Sequence, residues 1–155
     1  MKAEHILLLF LAAANVTLAQ LRSEPPLHQS AQRIIVRLLN GKTGNPMANQ
    51  MVTVRWVGVW DKSEITLDKQ GAGNVEVPAG VHEFTLEEGP KVGREPYRIA
   101  YIDCNDPHGA RIQLSLVIEK GFVPKNSCSS KTTLAHPEEV VFWGLPRPWW
   151  QPDMQ

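Results

Sequence analysis

The sequence has no excess of either charge: Lys plus Arg and Asp plus Glu each number 16, interspersed along 155 residues. Nucleic acid is held by basic stripes and patches; none is visible, which argues against nucleic acid as a partner. No glycine-rich phosphate cradle is present. The spacing of Cys, His and carboxylates matches no established zinc motif, so no metal site and no cofactor are expected. Past the N-terminus no apolar run is long enough to span a bilayer. Internal repeats and low-complexity blocks are absent. Cysteine is scarce, with Cys104 and Cys128 the only pair.

What is present reads first as a leader. Lys2 gives a small positive region, Ile6–Ala14 is a short apolar run, and Thr17-Leu18-Ala19 sets small residues before a cut at Gln20. This pattern predicts a secretory signal peptide over 1–19. A cut after Ala14 and an uncleaved anchor are the alternatives. No cysteine follows the run, which argues against a lipid anchor. A secreted or periplasmic location makes a Cys104–Cys128 disulfide the expected state. Closing a loop of that size stabilises by roughly 3 kcal/mol in the chain-entropy view.

The remaining length suits one domain. Residues 20–32, with Pro25-Pro26, read as a flexible lead-in. Residues 33–144 read as an all-β domain of about seven short strands separated by Gly- and Pro-rich turns. Arg33–Leu39 is apolar on both faces, as in a strand covered on both sides. A turn over Asn40–Pro46 makes the opening hairpin-like, and Met51–Trp60 follows with Val52, Val54 and Trp56 on the core face. Short strands are expected at Ser63–Leu67, Asn74–Val77, Val81–Glu87 and Tyr97–Asp103, with a loop over 88–96. Arg111–Lys120 alternates Ile112, Leu114, Leu116 and Ile118 against polar neighbours and reads as a long strand. Val140–Trp143 is the last strand. From Gly144 onward the prolines exclude a regular ladder, leaving a Pro/Trp-rich tail over 145–155.

The run Asn40-Gly41-Lys42-Thr43-Gly44-Asn45-Pro46, followed by Val52 and Val54, resembles the opening of the carboxypeptidase-regulatory-like domains, a transthyretin-like (prealbumin-like) β-sandwich group. Thr66–Pro78 and then Pro78-Ala79-Gly80-Val81-His82-Glu83-Phe84 are similar to that family's next turn and strand. The resemblance covers roughly residues 33–87, and the whole chain looks like small secreted bacterial proteins that share this sandwich. It implies a single transthyretin-like (Ig-like) antiparallel sandwich with an accessory, adhesive or interaction role. It brings no catalytic residues.

Several groups invite sharper readings. Asp103, Cys104, Asp106 and His108 are the densest set of possible ligands, but read better as a disulfide-anchored turn. Ser127, Ser129 and Ser130 crowd Lys131, so a serine–lysine nucleophile competes with a solvated loop. His28, His82 and His136 are scattered, and a small hydrolase assembled from such residues is the least favoured function. Trp56 and Trp143 read as core. Trp149 and Trp150, beside Arg147 in the tail, either close one end of the sandwich or, with Trp60, contact a ligand or partner. The expected function is a secreted, non-catalytic interaction module of the bacterial cell envelope, meeting an envelope protein or polysaccharide. A carbohydrate-binding module using the tail tryptophans is the alternative.

Overall fold

The computed structural model describes residues 32–89 and 98–146. The leader, the tail residues Arg147, Trp149 and Trp150, His28 and most of the 88–96 loop lie outside the described residues. Among the described residues the chain forms β1 (Arg33–Asn40), β2 (Gln50–Trp56), β3 (Lys62–Thr66), β4 (Ala72–Glu76), β5 (Glu83–Glu88), β6 (Arg98–Tyr101), β7 (Asn105–Asp106), β8 (Ile112–Gln113), α1 (Leu114–Lys120), β9 (Lys125–Asn126) and β10 (Glu139–Pro146).

An all-β sandwich results, as the turn spacing predicts. One layer is β4-β1-β10; the other is β5 between β2 and β8, with β3 on the far edge of β2. Strand β6 joins the layers at a corner, pairing with Leu145 and Pro146 of β10 and with Gln50 and Met51 of β2. The ladders are mostly antiparallel, but β1–β10 and β2–β6 are parallel. Strand β1 is thus central in its layer, and β10, late in the chain, lies between β1 and the corner strand β6.

Period-two alternation buries Ile34, Val36 and Leu38 of β1 against Val52, Val54 and Trp56 of β2, together with Phe84 and Leu86 of β5. The Trp56 and Phe84 rings meet edge to face at 5.7 Å, and the Trp56 indole N–H donates to Ser63 Oγ at 3.0 Å. Burial of each large apolar side chain is worth about 1.5–3 kcal/mol. A second cluster of Leu39, Cys104, Val141 and Trp143 lies beside this core. It takes up Leu39 of β1 and Val141 and Trp143 of β10, so that Val140, Val141, Phe142 and Trp143 are all buried in succession, while Ile35 on the same face of β1 as Leu39 is 39% exposed, against the expectation of a strand covered on both sides.

Three local expectations are corrected. The opening is not a hairpin, because β1 pairs with β4 and β10 while β2 pairs with β3, β5 and β6. The Asn40–Asn45 turn does reverse the chain, closing on a single bridge between Leu39 and Pro46. The segment then crosses to the other layer through Asn49, whose φ is 56°.

The long strand over Arg111–Lys120 stops at Gln113 and becomes a helix. Leu114 and Val117 are buried with Ile118 packed beside them, the i, i+3, i+4 spacing of a helix face. Leu116, inward-facing in the strand reading, is 38% exposed. Gly121 ends the helix at φ 75°, donating its N–H to Val117 O, and Lys120 stands in the last turn.

The final strand is longer than Val140–Trp143. Its ladder continues through Gly144 and Leu145 to Pro146. Pro146 is the terminal rung, where a missing N–H is tolerated.

Candidate functional site

The segments between β6 and β8 and between α1 and β10, residues 102–111 and 121–138, meet in space. Strands β7 and β9 pair antiparallel, Asn105 opposite Asn126 and Asp106 opposite Lys125. Beside them Cys104 and Cys128 form the expected disulfide, with 5.2 Å between their Cα atoms. Ser127 N–H donates to Cys104 O at 2.9 Å, so the staple is also hydrogen-bonded.

Two buried asparagines fix this cluster to the sheet. Asn105 Oδ1 accepts from Trp143 N–H at 2.8 Å, while its Nδ2 donates to Trp143 O at 2.9 Å and Ile102 O at 2.7 Å. One side chain thus pairs with both backbone groups of Trp143, as a neighbouring strand would. Asn126 Nδ2 donates to Gly41 O at 2.8 Å and lies near Ser129 Oγ and Lys131 O; its Oδ1 accepts from Cys128 N–H at 3.0 Å. These bonds satisfy buried polar groups that would otherwise cost about 1–3 kcal/mol each.

Gly41 makes the contact possible. A Cβ there would sit 2.6 Å from Cys104 Sγ and 3.2 Å from Asn126 Oδ1, too close for any other residue without a shift. The Trp143 indole N–H donates to Pro124 O at 2.9 Å and holds the second loop down.

The loops leave an open cleft of about 310 Å³ over Trp143. Its walls carry Lys125, Lys131, Ser130, Thr132 and Thr133, and its floor is Val123, Pro124 and Trp143. Among the described residues no carboxylate lines it. Lys125 Nζ stands 4.0 Å from Asp106 Oδ2, and both side chains are largely exposed. Lys131 has no ion pair among the described residues. A second cavity, of about 20 Å³ and lined mainly by apolar side chains such as Ile102, Pro107, Ile112 and Phe142, lies across Pro124 and is about the size of one water.

Ser129, two residues from Lys131, donates its hydroxyl to Gly41 O at 2.6 Å, and the Lys131 group that contacts it is the backbone N–H at 3.2 Å. The Ser129 hydroxyl is therefore committed to the turn. His82, His108 and His136 are exposed on separate segments. Among the described residues no group of three or more His, Cys, Asp or Glu could hold a metal, and Cys104 is spent in the disulfide.

Away from the cleft, Arg55 and Glu87 pair on β2 and β5 at 2.6 and 2.8 Å. The hydrogen bonds from Arg55 hold the Glu87 carboxyl below its ordinary range. Trp60, at the turn between β2 and β3, is fully exposed and lines neither cavity.

Comparison of the chain with family models, curated proteins and solved structures returns no match.

The cysteine pair was legible from composition, and the serines beside Lys131 were noticed for a different role. Gly41 and Asn105 read as turn residues, and nothing signalled that Gly41, Asn105 and Asn126 meet at the disulfide: an asparagine in a polar loop reads the same whether it is solvated or buried against backbone. Lys125, Thr132 and Thr133 likewise read as solvated loop.

Proposed function

We propose that this protein is a secreted, non-catalytic interaction module of the bacterial cell envelope, built on a transthyretin-like sandwich. The observation that carries the reading is the disulfide-stapled loop cluster. Its buried polar side chains are committed to backbone groups, and what they shape is an open cleft lined by hydroxyl and ammonium groups. A rigid scaffold that presents loops is how sandwich domains ordinarily recognise partners. The disulfide suits an oxidising compartment, and no helix among the described residues is long and apolar enough to cross a membrane. The 33–87 motifs support the family resemblance.

Trp60 favours a second reading, a carbohydrate-binding module in which Trp60 joins Trp149 and Trp150, because a fully exposed indole offers a face for stacking on a sugar ring. The test is a pull-down from envelope proteins and polysaccharides. Wild type is compared with Trp60→Ala and with the Trp149→Ala/Trp150→Ala double variant, each checked for folding. Partners retained by all three forms support the general module. Polysaccharide retention lost in the tryptophan variants supports the second reading. No retention of any envelope component by the folded wild type overturns both.

A further inference from the structure

We infer that the cleft over Trp143 is a binding site for carboxylated saccharide, the uronate type of acidic glycan. This rests on the interaction-module reading and names the ligand class of its cleft. Four observations converge. The walls present two ammonium groups, Lys125 and Lys131, with no carboxylate among the described lining residues. Lys131 has no ion pair among the described residues, so its charge is free for a ligand. Lys125 has only the exposed Asp106 carboxylate at 4.0 Å, a contact that water screens.

The second observation is the hydroxyl wall. Ser130, Thr132 and Thr133 offer groups that both donate and accept, which matches sugar hydroxyls doing the same. Thr132 and Thr133 lie in an irregular segment, and among the described residues neither their amides nor their hydroxyls find a protein partner.

Third, the floor of Val123 and Pro124 is apolar, and Trp143 beneath is 1% exposed. A bare inorganic anion would leave that floor uncovered; the C–H face of a pyranose would cover it. Fourth, a volume of about 310 Å³ is at the lower end of ordinary ligand sites, room for one or two sugar units rather than a bulky group. The cleft is also prebuilt. The Cys104–Cys128 bond, Asn126 and Ser129 fix its walls, so little ordering entropy opposes binding.

The experiment is isothermal titration of the purified protein with trigalacturonate, with maltotriose and inorganic phosphate run beside it. Lys131→Gln, Lys125→Gln and Thr132→Val are compared with Lys62→Gln, which lies on β3 outside the cleft. Near-UV circular dichroism confirms that each is folded. Trigalacturonate is expected to bind and maltotriose at least about tenfold more weakly, in line with the loss of a charge-assisted contact. Lys131→Gln is expected to weaken trigalacturonate about tenfold, Thr132→Val less, and Lys62→Gln not at all. Affinity should fall as salt is raised.

Equal binding of both trisaccharides overturns the charge assignment. Phosphate displacing trigalacturonate at equal concentration overturns the saccharide assignment. Binding unchanged by both cleft lysine variants places the site elsewhere and overturns it as well. No binding of trigalacturonate by a wild type that still retains envelope partners in the pull-down sinks this inference and leaves the module reading standing.

Discussion

Replacing Asn105 by leucine removes a side chain that stands in for a β-strand. The amide is buried, at 7% exposure, and it pairs with the Trp143 N–H and C=O and with Ile102 O. Leucine has nearly the same volume, so little cavity forms, but one buried donor and two buried acceptors lose this partner. Each orphaned group costs about 1–3 kcal/mol, with carbonyls at the low end because they tolerate under-satisfaction. The sum is about 3–5 kcal/mol, a large fraction of the 5–15 kcal/mol typical of a domain. For a domain of this size that lowers Tm by on the order of 10 °C. Urea titration gives the free energy, and amide hydrogen exchange at Trp143 reads the lost bond directly: protected in the wild type, fast in Asn105→Leu. Asn105→Asp adds a sign. Its carboxylate would face two carbonyl oxygens in a buried site, which raises its folded pKa above the unfolded value near about 3.9. The folded state then holds the extra proton, so this variant is least destabilised near about pH 4 and loses stability as pH rises toward neutrality. An Asn105→Leu protein within about 0.5 kcal/mol of wild type, the scale of an ordinary surface change, would refute the reasoning.

Three further outcomes are expected. Gly41→Ala forces a methyl to 2.6 Å from Cys104 Sγ and 2.8 Å from its Cβ, so it should destabilise by about 1–3 kcal/mol in urea titration, as overpacked sites do. The Glu87 carboxyl should titrate below the ordinary glutamate range by NMR because Arg55 hydrogen-bonds it, and should return upward in Arg55→Gln. Its contribution to stability is present above the unfolded carboxylate range and is lost as pH falls through the depressed folded value. The pair is half exposed, so that contribution is small and weakens with salt. Trp60→Ser should leave the urea midpoint nearly unchanged, within about 0.5 kcal/mol, because the indole is fully exposed; a larger loss would place it in a contact the fold does not show.

Strands that bury one face announced themselves. Val52, Val54 and Trp56, and likewise Phe84 and Leu86, alternate because one pleat face meets the core. The 112–118 run did not, because its apolar residues satisfy both a two-residue and a helical repeat. The deciding contacts come from elsewhere: among the described residues β8 pairs with Glu83 and Phe84 alone, and Leu114 N–H already donates to His82 O. The 40–46 turn was legible locally, since Asn40 Oδ1 accepts from the Lys42 and Thr43 amides. That it leads into a crossover depends on which strands are left to pair, and no local pattern states that. The disulfide followed from cysteine count and expected compartment. The cleft did not, because it is defined by residues whose neighbours come from other parts of the chain.

The parallel pairing of β1 with β10 also sets an order of assembly. Ile35 faces Glu139 and Asn40 faces Gly144, nearly opposite ends of the described chain. Until β10 has been synthesised, β1 has β4 alone for a partner, β6 lacks its link between the layers, and Trp143 is missing from the floor of the cleft. Contacts this far apart in sequence form late and slowly. A nascent or truncated chain that stops short of Glu139 therefore lacks Val140 and Phe142 from the core and leaves one edge of β1 without its ladder.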